Sequence, residues 1–95
     1  MNPEMLRRLK RMQEEMMSKQ KELEKTEFTV TKQGIKVVVL GNHTIKSISV
    51  DELLIDPEDK EILEDLIVIA INEAIDLVKE EEAKLAPQMP GGLGF

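Results

Sequence analysis

Cysteine, tryptophan and tyrosine are absent from this 95-residue chain, and its only aromatics are Phe28 and Phe95. Without cysteine there is no disulfide and no thiol nucleophile. With a single histidine, His43, the chain offers no transition-metal ligand set, and no cofactor is expected. With only two aromatic side chains, single-strand binding through stacked bases is not expected. The core must therefore be aliphatic, built from Ile, Leu, Val and Met. No apolar run approaches the ~18 residues of a membrane span. The start, Met1 to Arg8, lacks the apolar centre of a signal peptide. The expectation is a cytosolic protein with no membrane partner.

Catalytic constellations are missing too. His43 falls in an expected turn with no orienting acid beside it, so no nucleophile–base pair forms locally. The carboxylates read as exposed helical faces, not as a buried pair with split acidities. Gly91, Gly92 and Gly94 open no helix, so no phosphate-cradling loop is present. The sequence reads as non-enzymatic, with no small-molecule substrate.

What is present is charge, unevenly placed. Residues 1–50 carry ten Lys and Arg against six acids, a net of +4; residues 51–95 carry three against thirteen, a net of −10. One end can dock a polyanion while the other repels it.

A first helix is expected from Asn2, with Asn as N-cap, Pro3 at the first position and Glu4 near the positive dipole end. Met5, Leu9, Met12, Met16 and Leu23 form a heptad seam, widened by Leu6 and Met17. About three heptads are marginal alone, so the seam is expected to pack against another element. Residues 27–50 read as three antiparallel strands in a meander, with turns at Gln33-Gly34 and Gly41-Asn42. On the third strand, alternation puts Lys46, Ile48 and Val50 on one face and Ile45, Ser47 and Ser49 on the other. One side of the sheet should be open or partly covered. Asp51 to Ile55 is a short link. Asp56 then caps a second long helix, with Pro57 at its first position, running to about Ala86. The reading is one domain over residues 1–86 and a flexible Pro/Gly-rich tail over 87–95.

Leu66-Ile67-Val68-Ile69-Ala70-Ile71, on that second helix, is apolar on every side. A surface helix of a small domain should show one apolar stripe and one wet face. The excess is expected to be covered by a second copy, through Leu66, Ile67, Ile69, Ala70, Ile71 and Ala74.

The feature with functional content is basic. Arg7, Arg8, Lys10 and Arg11 lie within five residues of the first helix, and Lys32, Lys36 and Lys46 add charge on the strands. These seven are the candidate DNA-binding residues. The bland alternative is a solvated face paired within the helix to Glu4, Glu14 and Glu15. No base-reading motif accompanies the cations, so a nucleic-acid partner would be held through its phosphates. A rival reading is an acidic adaptor that binds a basic partner in a DNA-processing or chaperone assembly, through acids such as Glu58, Glu64 and Glu80 to Glu82. The net charge of −6 favours that rival.

Four segments then combine: Arg11-Met12-Gln13-Glu14-Glu15-Met16; Gly34-Ile35-Lys36-Val37-Val38-Val39; Leu63-Glu64-Asp65-Leu66 followed by Ala70-Ile71-Asn72-Glu73-Ala74; and Pro90-Gly91-Gly92-Leu93. In this order they resemble the YbaB/EbfC family of bacterial nucleoid-associated proteins. The resemblance implies an α+β fold, an α-β-β-β-α protomer paired into a tweezer-like homodimer. It also implies DNA binding with little sequence preference, and a role in nucleoid organisation or gene regulation. The second hairpin turn is Gly41-Asn42 where the family usually has Asn-Gly.

Overall fold

Asn2 sets the start of the first helix. In a computed structural model describing residues 2–85, its Oδ1 accepts a hydrogen bond from the Met5 amide at 2.7 Å, and Pro3 opens the helix. This helix, α1, spans Pro3–Lys25. It stops at Thr26, whose amide returns to the Leu23 carbonyl and whose hydroxyl donates to the Glu22 carbonyl. Lys25 sits at the negative dipole end.

Three β-branched stretches then form β1 (Glu27–Lys32), β2 (Ile35–Leu40) and β3 (Ile45–Val50), an antiparallel meander in the order β1-β2-β3. The first turn is tight because Gln33 and Gly34 both take positive φ, 48° and 89°, as a two-residue hairpin turn of matching twist requires. At the second turn the left-handed residue is His43, with φ 69°, and not Gly41 or Asn42. Gly41 is needed for space instead: a Cβ there would lie 1.8 Å from the Leu23 carbonyl oxygen. Gly41→Ala should therefore cost at least the ~1–3 kcal/mol of an overpacked core. A urea melt checks this, with a lowered midpoint expected.

A bulge interrupts the β2–β3 register. Val38 faces Ser47, but Val39 faces Ile45, so Lys46 is the extra residue. This corrects the simple alternation expected for the third strand. The bulge turns Ile45 to the face shared by Ile48 and Val50, and places Lys46 beside Glu27 on the other.

The long helix α2, Lys60–Leu85, lies across one face of the sheet. Two 3-10 turns lead into it, Glu52–Leu54 and Pro57–Asp59. Asp51 and Asp56 cap these turns through their side chains. Asp56 thus caps the turn before α2, and not α2 itself as expected from sequence. Ala70, Ala74 and Val78, four apart, form one line on α2 and are fully buried against Ile35, Val37 and Val39. Each fully buried valine or isoleucine contributes roughly 1.5–3 kcal/mol. Leu63, Leu66, Ile67, Ile71 and Ile75 flank this line, half-buried. The opposite sheet face, with Thr29, Thr31, Lys36, Ser47 and Ser49, is exposed. Among the described residues, no helix is long and apolar enough to cross a membrane. The expected tail at 87–95 lies outside the described residues.

Candidate nucleic-acid interface

α1 stands apart from this core. None of its residues is buried, and only Met16 and Leu23 are half-buried. The packing expected for the heptad seam is made, within the protomer, only from Met16 onward. There Leu23 lies on Gly41, while the described residues leave the N-terminal half of α1 exposed. Met5, Leu6, Leu9, Met12 and Met17 remain 46–57% exposed. The molecule is accordingly elongated, 70 × 26 × 14 Å.

This uncovered helix carries Arg7, Arg8, Lys10 and Arg11, all exposed. Among the described residues the ion pairs join Lys32 to Glu73, His43 to Glu82, Lys46 to Glu27 and Lys84 to Glu81. None engages the four α1 cations, so the intrahelical pairing with Glu4, Glu14 and Glu15 does not form. At about 100° per residue, Arg7 and Arg11 point away from the apolar stripe while Arg8 and Lys10 lie on its two shoulders. Four unneutralised cations on an open rod are suited to contact an extended polyanion.

The three sheet lysines do not join them in one patch. Lys32 faces α2, where Glu73 lies 3.2 Å away. Lys36 and Lys46 belong to the open face, and Lys46 is paired with Glu27. Of these three, Lys36 alone has no described ion-pair partner. Lys84 at the end of α2 is held 2.7 Å from Glu81, whose hydrogen bond and charge raise the lysine pKa.

The residues expected at a copy-to-copy interface divide in two. Ala70 and Ala74 are fully buried under the protomer's own sheet, because their small side chains let the helix lie close. Leu66, Ile67 and Ile71 are half-buried beside them. Ile69 alone of the six is exposed, at 44%, together with Ile62 and Val68. The all-round greasiness of α2 is thus mostly used within one chain.

His43, expected as a solvated turn residue, is tied to α2 instead: its Nε2 donates to Glu82 Oε1 at 2.7 Å. The pair stands at the rim of a cleft of about 440 Å³ between the ends of α1 and α2, floored by Met16, Leu23 and Leu85. Among the described residues, no three metal-ligating side chains converge. Sequence reasoning also missed Leu53 and Ile55, which the capped 3-10 turn exposes at 90% and 60%. The acid–Leu-Leu-Ile–acid pattern of Asp51 to Asp56 was the available signal.

Comparison with known proteins agrees with this architecture. The family model of the YbaB/EbfC DNA-binding family matches residues 1–93. A nucleoid-associated protein of Metamycoplasma arthritidis is 55% identical over 82 residues, covering 86% of each chain. One from Mycoplasmopsis pulmonis is 46% identical over 89 residues, 94% of this chain and 89% of that one. The crystal structure of an uncharacterized Helicobacter pylori protein superimposes with a TM-score of 0.73 at 24% identity, covering 94% of this chain and 97% of that one. That likeness shows the α-β-β-β-α fold. On the family match and the two relatives, the chain belongs to the YbaB/EbfC DNA-binding family, which is not a family of enzymes.

Proposed function

We propose that this protein is a nucleoid-associated protein that binds duplex DNA as a homodimer, through the phosphates and with little sequence preference. Its place is the bacterial nucleoid, and its effect is on nucleoid organisation or gene regulation. The observation that carries this reading is the set of cations Arg7, Arg8, Lys10 and Arg11, none of them ion-paired among the described residues, on a helix with no buried residue. Phosphate contacts need charge and reach, not base-reading geometry. Arg7 and Arg11, four residues apart, are separated by about 6 Å of helical rise, close to two of the ~3.4 Å steps between successive charges of one strand.

Pairing doubles the four cations to eight. Its support is apolar surface left open by the protomer: the α1 stripe from Met5 to Met12, and Ile62, Val68 and Ile69 on α2. Exposed apolar patches of this kind mark interaction surfaces. The acidic residues 51–85 repel DNA and limit how it approaches.

The test is a mobility shift with two duplexes of unrelated sequence. Comparable affinity for both, lost on raising the salt, supports the reading. An acidic adaptor, favoured by the net charge of −6, predicts no binding to either duplex even at low salt.

A further inference from the structure

The link between the sheet and α2 turns one leucine, Leu54, onto the core and displays its other two apolar side chains, Leu53 and Ile55, to solvent. Leu53 is 90% exposed, the most of any large apolar residue described, with Ile55 at 60% and Ile62 at 56% close by in sequence. The display is ordered. Asp51 Oδ1 accepts from the Leu53 amide at 2.9 Å, Asp56 Oδ1 accepts from the Glu58 amide at 3.0 Å, and Leu54 anchors the turn against Gly34. Around it the charge has one sign: residues 51–59 contain five acids and no Lys or Arg.

The same chain carries the complement. On α1 the exposed stripe of Met5, Leu6, Leu9 and Met12 is apolar, and Arg8 and Lys10 stand on its shoulders. The two surfaces attach at opposite ends of β2: α1 meets the sheet where Leu23 packs on Gly41, and the link meets it where Leu54 packs on Gly34. They are therefore presented to other molecules more readily than to each other.

We propose that a second copy of this chain covers the acidic link with its α1 stripe, seating Leu53 and Ile55 among Met5, Leu9 and Met12 while Arg8 and Lys10 pair with Glu52 and Glu58. The contact builds on the self-association proposed above and names its two surfaces. Formed reciprocally it closes a pair; formed head to tail it propagates. Arg7 and Arg11 stay on the far side of α1, free for phosphate.

Sedimentation velocity on the full chain tests this with three variants. Leu53→Arg alters a side chain that the protomer does not use, so the fold is kept, as circular dichroism checks. It should weaken association roughly tenfold, as loss of a central anchor does. The double variant Arg8→Glu, Lys10→Glu and the double variant Glu52→Lys, Glu58→Lys should each associate poorly alone. Mixed in equal amounts they should form a mixed complex, because the charges are restored in mirrored form. A wild-type protein that stays monomeric overturns both this contact and the proposed homodimer. A wild-type protein that associates, with Leu53→Arg behaving identically or the mixture failing to recover, overturns this contact alone.

Discussion

Replacing Arg7, Arg8 and Arg11 together by glutamate is expected to abolish duplex binding at ~0.1 M salt while leaving the protomer folded. None of these side chains is buried or engaged in a described ion pair, so the fold does not depend on them. The change removes three positive charges and adds three negative ones on each protomer, twelve units of charge per pair. Each phosphate no longer neutralised keeps its condensed counterions, so the affinity should drop by at least ~100-fold. Lys32→Ala, by contrast, should have little effect on DNA, because Glu73 already neutralises that lysine 3.2 Å away. A fluorescence anisotropy titration reads both variants. Wild-type affinity in the triple variant would move the site off α1.

The second large effect concerns α2. Ala74→Asp should unfold the protomer, whereas Ile69→Asp should leave it folded and weaken self-association. Ala74 is fully buried against the sheet, with only apolar side chains in the surrounding core cluster. An uncompensated buried carboxylate costs about 3–5 kcal/mol, a large share of the ~5–15 kcal/mol that holds a small domain together. Ile69, five residues earlier and 44% exposed, faces solvent in the single chain. Thermal melts and sedimentation of the two variants separate core from interface. Equal destabilisation by both would mean that the outer side of α2 is also needed by the protomer.

These contrasts mark where the sequence could be read and where it could not. Asn2, Pro3 and Asp51 act within three residues of themselves, so the first helix start and the link were legible from local pattern, whereas Asp56 shows a cap without showing that a 3-10 turn and not the long helix follows it. The β-branched runs and Gln33-Gly34 announced the meander for the same reason. The bulge at Lys46 was not legible, because register is a property of two strands and alternation describes one. Gly41 reads as a turn residue, yet its constraint comes from Leu23, eighteen positions earlier, across the α1 end. The pairing of Lys32 with Glu73 joins β1 to α2, so the sheet lysines looked as available as those of α1. In the apolar run, Ala70 and Ile69 differ by one position and about 100° of helix, and only the sheet decides which is inside.

Whether α1 holds DNA by its charge is tested most directly by the salt dependence of binding. A plot of log K against log salt should fall with a slope between about −4, if only Arg7 and Arg11 of each copy meet phosphate, and about −7, if all eight cations of a pair do, and the slope should flatten when Arg7, Arg8 and Arg11 become glutamate. Binding that ignores salt, or a slope unchanged in that variant, would contradict it.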